Sequence, residues 1–377
     1  MNVLVLDVET TSSNKGNPFD NTNRCLLIGL KFLGQSSLTF TPHEREQIQD
    51  LINKSALIVG FNIKFDLHWL RKLGIDFSSK RVWDCQIGEF ILGNQNNPYP
   101  SLNQALEKYG FPLKLDIVKE EYWNKGKDTS EVPMDILKEY LKGDLEGTEQ
   151  VYLKQVEQYE SNNKQRLFNL QCLDLLVLEE MEWNGIRFNT EKAKKYADEI
   201  SKKTEQLYRD ITVYTSGVPI NLNSDDHVSC LLYGGTITED IRIPIGEYRT
   251  GLKVGQTRYK IVEKKYELPR LIEPLKGTER AKEGYWFTNE DVLRSLKPSK
   301  EGKRLLEIIK EFTKLEKLKS TYLLGWSKLI DEMNWERDTI HGNLNQCVVI
   351  TGRLSSTKPN LQNADPITKI FCESRYD

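Results

Sequence analysis

Val3-Leu4-Val5-Leu6-Asp7-Val8-Glu9-Thr10-Thr11 is the stretch that decides the fold. Its four leading apolar residues predict a β-strand that is buried on both faces. Asp7 and Glu9 lie two residues apart, so their side chains point to the same side of an extended chain. Because burying an unpaired charge is unfavourable and Mg²⁺ prefers oxygen ligands, the two carboxylates indicate half of a metal site. The alternative is a strand-end turn with solvated acids.

The composition is typical of a globular protein with a well-solvated surface. The chain has 377 residues, 29% of them charged and 38% hydrophobic, which suggests two or three domains. The net charge of −2 weakens the case for non-specific binding to nucleic acid, although local patches of charge determine the electrostatic field at the protein surface. The six scattered cysteines form no Cys-x-x-Cys pair, and neither a membrane helix nor a signal peptide is visible. We therefore expect a cytoplasmic protein without a membrane anchor.

The hydrophobic pattern of residues 1–155 predicts an α/β domain, with a mixed sheet flanked by helices. The strands at 26–30 and 37–40 are joined too closely for a crossover helix, so they should be antiparallel neighbours. Asp84 is a candidate helix N-cap. The remaining predicted elements are strands at 3–8 and 56–61 and helices at 44–53, before Gly74, at 102–109 and at 135–159.

Two further acids stand out in this domain. Asp66 follows a predicted strand end, where ligand sites of α/β sheets gather, although a helix N-cap is the commoner role for such a residue. Asp144 lies four residues after Tyr140 on a predicted helix, so the two side chains share one face. A solvated helix edge would show the same pattern.

In order and spacing, these residues resemble the three motifs of the DEDD exonuclease superfamily, tyrosine subclass. The motifs are Asp7 with Glu9, Asn62-x-x-Phe65-Asp66, and Tyr140-x-x-x-Asp144. The run from Ser101 to Leu106 is similar to the helix that precedes the third motif there. The resemblance implies a ribonuclease-H-like fold for residues 1–155.

The resemblance also implies a site for two divalent metal ions, Mg²⁺ or Mn²⁺. Asp7 would bridge both ions, Glu9 and Asp144 would hold the ion that activates water, and Asp66 would serve the second ion. Paired ions ~3.5–4 Å apart stabilise both the attacking and the leaving oxygen of a phosphodiester. Tyr140, neutral at pH 7, would orient the water, while Asn62 and Phe65 would contact the terminal nucleotide.

From Lys164 onward the pattern becomes mainly helical. Helices are predicted at 175–185, 191–208 and 304–330, and on pattern alone they form a helical hairpin. Residues 233–286 interrupt them with predicted hairpins, for example around Arg249-Thr250-Gly251. Between Arg249 and Lys282 there are ten Lys or Arg against four Glu, with Tyr259 and Tyr266 interleaved. This run suits contact with DNA phosphates or, equally, a solvated surface.

The last part of the chain resembles family A DNA polymerases (the DNA polymerase I family). The segments 341–346, 351–356 and 359–363 are similar to the beginning of that family's palm, and 178–185 and 314–322 to its thumb. The resemblance spans the chain except 233–286, which looks like an insertion of the sort some bacteriophage members carry. It implies a thumb region at 160–340 and the beginning of a palm at 341–377. Arg353, Asn360 and Gln362 would contact primer–template DNA.

The sequence departs from that family in one respect. The Asp-x-Ser-x-x-Glu, Arg-x-x-x-Lys and His-Asp-Glu motifs of the polymerase centre do not occur. We therefore expect either a fragment or one half of a split polymerase completed by a separate chain, which alone would not synthesise DNA.

The activity that these resemblances imply is 3′→5′ proofreading during DNA replication, in a host cytoplasm if the chain is phage-encoded. Nucleoside 5′-monophosphates would be released from single-stranded 3′ ends. Two alternatives remain open: a subunit that clamps primer–template DNA for a partner polymerase chain, and a free-standing RNA exonuclease.

Overall fold

The computed structural model describes residues 2–113, 116–251 and 253–374. The chain divides into two compact units, one of Met1–Thr190 with Trp326–Asp377 and one of Glu191–Gly325. In the first unit, α7 (Gln165–Asn184) contacts the segment that follows Ile340, since the Glu182 carbonyl oxygen lies 2.8 Å from Nδ1 of His341.

The first unit is built on a mixed five-stranded sheet, as the sequence predicts. The strands are β1 (Val3–Thr10), β2 (Cys25–Phe32), β3 (Leu38–Phe40), β4 (Leu57–Gly60) and β5 (Arg81–Asp84). Their spatial order is β3-β2-β1-β4-β5, with β1 antiparallel to β2 and parallel to β4. The predicted antiparallel pairing of β2 with β3 is confirmed.

Helices cover this sheet. A Cβ on Gly29 of β2 would lie 2.8 Å from Cδ1 of Leu145, so the glycine permits a close approach of the long helix α6. Asp84 caps α3 and Ser101 caps α4, in agreement with the sequence. The helices of this part are α1 (Arg45–Lys54), α2 (Lys64–Lys72), α3 (Cys85–Leu92), α4 (Leu102–Lys108), α5 (Ile117–Glu121), α6 (Met134–Glu160) and α7.

Two smaller sheets complete the first unit. The first has three strands in the order β12-β6-β9, so that the strand beginning at Ile186 pairs with a strand near the end of the described chain. The second consists of β10 and β11. Their strands are β6 (Ile186–Phe188), β9 (Thr339–Ile340), β10 (Asn343–Asn345), β11 (Ser355–Thr357) and β12 (Cys372–Glu373).

The second unit has a helical core and a β-ribbon. The predicted hairpin in residues 233–286 is present, as the antiparallel strands β7 (Gly235–Glu247) and β8 (Thr257–Leu268). Apolar side chains such as Leu305 and Phe312 are buried against Leu231 and Ile272. The helices are α8 (Thr190–Thr215), α9 (Asp225–Tyr233), α10 (Glu290–Ser295) and α11 (Lys300–Lys317).

The helix predicted at 304–330 is not regular throughout. After α11, the segment Leu318–Leu323 forms a π-helical turn, and α12 (Leu324–Glu332) continues from it. A Cβ on Gly325 would lie only 2.7 Å from the carbonyl oxygen of Ser320, five residues earlier. The glycine therefore accommodates the widened turn, which a hydrophobic stripe does not reveal. In the described part of the chain, no helix combines the length and apolarity needed to cross a membrane.

Candidate active site

Three of the predicted acids form a single group. One carboxylate oxygen from each of Asp7, Glu9 and Asp144 lies within 4.8 Å of the other two. Glu9 and Asp144 are buried and Asp7 is half-buried. The strand predicted at 3–8 continues as β1 to Thr10, with a register shift between Glu9 and Thr10. Such irregularities re-aim side chains next to active sites.

Helix α6 supplies the third acid. Asp144 lies one helical turn after Tyr140, so both reach the same cleft. The helix can lie this close because Gly29, which pairs with Asp7 across the β1–β2 ladder, presents no Cβ to Leu141 and Leu145. The geometry of the acidic group thus depends on a glycine that carries no chemistry itself.

Asp66 lies in the first turn of α2, outside the group of three. It is not the helix N-cap that was the simpler prediction, because Ile63 occupies that position. Its Oδ1 accepts a hydrogen bond of 3.0 Å from the Val8 backbone N–H, which ties α2 to the strand between Asp7 and Glu9. Burial raises the pKa of Asp66 well above its ordinary value, and the nearby negative charge of Asp7 adds to this rise.

The loop before α2 is fixed by Asp84. This buried carboxylate accepts hydrogen bonds from the backbone N–H groups of Asn62 and Ile63 as well as from Gln86 and Ile87 at the start of α3. Asn62 adopts a left-handed conformation with φ 60°, which asparagine tolerates better than most residues. The sequence indicated the cap but not this second role, because the loop lies 22 residues away.

One cleft of about 480 Å³ is lined by all seven residues predicted for the exonuclease site. These are Asp7, Glu9, Asn62, Phe65, Asp66, Tyr140 and Asp144. Among the other lining residues, for which the sequence predicts no role, are Lys15, Trp123 and Thr129. The Trp123 ring meets Tyr140 edge-on at 6.1 Å, and its Nε1 donates to Oγ1 of Thr129. The signal available in the sequence is the tryptophan itself, in the segment between Leu106 and the third motif.

The acidic group fits a hard divalent cation. Its donors are all carboxylate oxygens, they converge from a strand and a helix, and two of the three residues are buried. Burying such like charges together is unfavourable unless a cation balances them. Mg²⁺ and Mn²⁺ are suited to this set, whereas softer metals prefer sulfur and imidazole ligands.

A second cleft of about 510 Å³ shares Lys15, Asn62 and Phe65 with the first. Its remaining lining is largely polar and includes Asn17, Lys64, Tyr99, Asn345 and Lys358. Asn345 belongs to the palm-like segment 341–346, and the sequence predicts no role for it.

Arg353, Asn360 and Gln362 do not line either cleft. All three are exposed in the segment around β11. The Gln362 side chain donates to the Leu354 carbonyl, and Oδ1 of Asn360 accepts from the Asn363 backbone N–H. These contacts order the segment, and the structure leaves the predicted DNA contacts as a prediction.

A buried charge network links α2 to the segment after β9. Oε1 of Glu182 lies 2.6 Å from Nζ of Lys64, and its Oε2 lies 2.9 Å from Nε2 of His68. The Leu344 backbone N–H also donates to Glu182, while Lys64 donates to the Leu344 carbonyl. His68 and Arg71 in addition face Glu179. The sequence pattern showed α7 only as an amphipathic helix.

Two family models match separate parts of the chain. A family model described as 3′-5′ exonuclease matches residues 1–158, and one described as DNA polymerase family A matches residues 190–373. The chain belongs to the DNA polymerase I-like proteins of family A. The exonuclease match contains the whole acidic cleft.

Several bacterial DNA polymerases I are similar to this family A chain. DNA polymerase I of Bacillus subtilis (strain 168) is 25% identical over 350 residues, covering 91% of this chain and 34% of that protein. DNA polymerase I of Chloroflexus aurantiacus is 27% identical over 320 residues, covering 80% of this chain and 28% of that protein. The family A chain thus spans about a third of the length of such relatives.

The fold is shared with a solved structure, the POL domain of Pol1 from M. smegmatis in complex with DNA primer-template and dNTP. The TM-score is 0.67 at 14% identity, and the match covers 98% of this chain and 53% of the other.

Proposed function

We propose that the chain is a metal-dependent 3′→5′ exonuclease that removes nucleotides from DNA 3′ ends as the proofreading part of a family A polymerase. The observation that carries this proposal is the convergence of Asp7, Glu9 and Asp144 within 4.8 Å, in a cleft that Asp66 and Tyr140 also line. When bound, divalent ions would lower the pKa of water and stabilise the oxygens of the reacting phosphodiester. Asp7, Glu9 and Asp144 would hold one ion, and Asp66 together with Asp7 would hold a second.

The other residues of the cleft position the substrate. The Tyr140 hydroxyl, supported by the edge of Trp123, would orient the attacking water without taking its proton, since a phenol is neutral at pH 7. Phe65 offers an apolar surface for the terminal base, and Asn62 offers an amide for its sugar or phosphate. Hydrolysis would release nucleoside 5′-monophosphates.

The unpaired strand that leads to the 3′ end would occupy the second cleft. Lys15 and Lys358 supply positive charge there, and Asn17 and Asn345 supply hydrogen-bonding groups, which suits a sugar–phosphate backbone. Because the two clefts share Lys15, Asn62 and Phe65, one strand could run through both. A single-stranded or frayed end is therefore the expected substrate.

The wider context belongs to the same proposal. Residues 1–155 would be the exonuclease domain, 160–340 a thumb region and 341–377 the beginning of a palm, with Arg353, Asn360 and Gln362 contacting primer–template DNA. An alternative is that the chain mainly clamps primer–template DNA for a partner polymerase chain.

A single assay tests the nuclease. A 5′-labelled primer annealed to a template with a mismatched 3′ end is incubated with the full chain, Mg²⁺ and all four dNTPs, with a chelator in a parallel sample. We expect stepwise shortening that stops with the chelator, and no extension. The Asp7→Ala variant should be inactive, whereas Glu146→Ala, which removes an exposed acid of α6, should match the wild type. Full activity of Asp7→Ala at saturating Mg²⁺ would overturn the proposal.

The affinity for duplex DNA distinguishes the clamping alternative from the proposed nuclease. Asp7→Ala is titrated with duplex primer–template, with and without Mg²⁺. Tight duplex binding that survives the Asp7→Ala substitution would favour clamping as the main role. Equal digestion of RNA and DNA oligonucleotides would instead favour the RNA exonuclease.

A further inference from the structure

Helix α2 is held on two opposite faces. On one face, Oδ1 of Asp66 accepts the hydrogen bond from the Val8 backbone N–H of β1. Lys64 and His68 lie two residues before and after Asp66, and because an α-helix turns about 100° per residue, they point about 160° away from it. Both contact Glu182 of α7, which lies 2.6 Å from Nζ of Lys64 and 2.9 Å from Nε2 of His68. The helix that carries Asp66 is therefore fixed between β1 and α7.

The contacts between α2 and α7 are ionic and lie in the interior. Glu179 and Glu182, about one helical turn apart on α7, are 0% and 4% exposed. Glu179 lies 3.1 Å from Nδ1 of His68 and 2.6 Å from Nη2 of Arg71. Because a buried carboxylate is stable only while it keeps its charged and hydrogen-bonding partners, a shift of α2 along α7 would leave charges unpaired. The two buried acids thus fix the register of the two helices.

A residue far along the chain shares these contacts. The Leu344 backbone N–H donates to Oε1 of Glu182, and Nζ of Lys64 donates to the Leu344 carbonyl oxygen, each at 2.5 Å. Leu344 belongs to β10, and the exonuclease family model matches residues 1–158, which do not include Glu182. The groups that hold α2 from the side opposite Asp66 therefore lie outside the part of the chain that matches an exonuclease.

We infer that Glu182 is a positioning residue for Asp66. It holds Lys64 and His68 and thereby sets the position and the rotation of α2 against β1. The place of the Asp66 carboxylate relative to Asp7 follows from these two. The inference rests on the proposed function, in which Asp66 together with Asp7 would hold the second ion. Glu182 does not line the acidic cleft, so it acts on that ion only through α2.

Mn²⁺ binding by the full chain tests the inference without any reaction. Calorimetry gives the number and the affinity of the bound ions, in the presence of thymidine 5′-monophosphate, because such ions combine protein carboxylates with phosphate oxygens. We expect two ions in the wild type and, in Glu182→Gln, a weakening of about 10–100-fold that is confined to the second ion. Asp66→Asn, which removes the ligand itself, should lose the second ion altogether. Glu180→Gln, which changes an exposed acid of α7, is the matched control and should bind both ions like the wild type.

A milder second variant guards against misfolding. Lys64→Gln leaves Glu182 its contacts with His68 and the Leu344 N–H, and it should show the same selective loss of the second ion. Thermal unfolding shows which variants are folded at the temperature of the titration. If Glu182→Gln is unfolded there, the comparison rests on Lys64→Gln.

Two kinds of failure are distinct in this experiment. The inference is overturned if the folded variants bind both ions as Glu180→Gln does, or if they lose affinity for both ions equally, as a merely structural change would cause. A wild type that binds fewer than two ions, or an Asp66→Asn variant that binds both normally, would instead overturn the proposed two-ion site and this inference with it.

Discussion

Gly29 lies directly across the β1–β2 ladder from Asp7, and it is the residue against which Leu141 and Leu145 of α6 pack. The absence of a side chain at position 29 therefore sets the distance between the strand that carries Asp7 and the helix that carries Asp144. A change in volume here would act on the acidic group without touching any of its members.

The Gly29→Ala variant tests this dependence. Its Cβ would lie 2.8–3.0 Å from the two leucine side chains, so we expect a loss of about 1–3 kcal/mol in the free energy of unfolding from overpacking. Mn²⁺ affinity, measured by calorimetry, should fall as Asp144 is displaced. Gly143→Ala on α6 is the matched control, because nothing lies within 4 Å of its added Cβ. An unaltered Mn²⁺ affinity in Gly29→Ala would contradict this account.

Tyr140 and Asp144 share a helix face but should differ in their effect on the reaction. Asp144→Ala removes a carboxylate of the group of three, and we expect the rate of digestion to fall more than about a hundredfold, since even outer partners of metal ligands account for 10–100-fold. Tyr140→Phe keeps the ring next to Trp123 and should slow digestion only severalfold. Single-turnover digestion of a labelled single strand measures the rate of each variant and distinguishes the two effects. Loss of all activity in Tyr140→Phe would instead indicate proton transfer by the phenol.

Glu182 should make stability depend on pH. Burial raises its pKa, but the hydrogen bond from His68 and the charge of Lys64 outweigh burial, so the pKa lies below its ordinary value of 4.5. A depressed pKa contributes stability that is present above about pH 4.5 and is lost as the pH falls through the lower, folded-state pKa. Denaturant unfolding at a series of pH values measures this.

The Glu182→Gln variant isolates that contribution. We expect it to lose about 3–5 kcal/mol at pH 7, the usual effect of breaking a buried ion pair, with the deficit shrinking below about pH 4.5. Glu180→Gln, an exposed neighbour on α7, should change stability by less than about 0.5 kcal/mol. A deficit in Glu182→Gln that stays constant down to pH 3 would show that charge is not its cause.

Asp128 secures the segment that brings Trp123 and Thr129 to the cleft. Its Oδ2 accepts from both the backbone N–H and the Oγ of Ser12, each at 2.7 Å. Asp128 also caps the short helix Thr129–Glu131. In Asp128→Ala we expect the KM for a single-stranded oligonucleotide to rise severalfold with little change in kcat, because loss of a helix cap typically amounts to about 0.5–2 kcal/mol. Asp116→Ala is the control, since Asp116 precedes α5 without a capping hydrogen bond. Equal KM values for the two variants would contradict the assigned role.

Local patterns in the sequence sufficed for much of the exonuclease part. The apolar run before Asp7 predicted the buried strand, and the spacing of Tyr140 and Asp144 predicted a shared helix face; both are observed. The short strand β5 is not predicted, because its four residues begin with an exposed arginine and are too few to show a clear hydrophobic periodicity. Contacts between distant residues were also missed, such as Asp84 with the Asn62 loop and Glu182 with Leu344, since no local pattern encodes them.

Asp7 and Glu9 belong to the middle strand of the five-stranded sheet, where Leu4, Val5 and Leu6 are fully shielded from solvent. Amides in such a position exchange with deuterium only when the whole sheet opens, whereas loops and termini fray at far lower free energy. Heat should therefore abolish hydrolysis in one cooperative step, coincident with melting of the sheet, and the acids of β1 should be among the last parts of the molecule to become disordered.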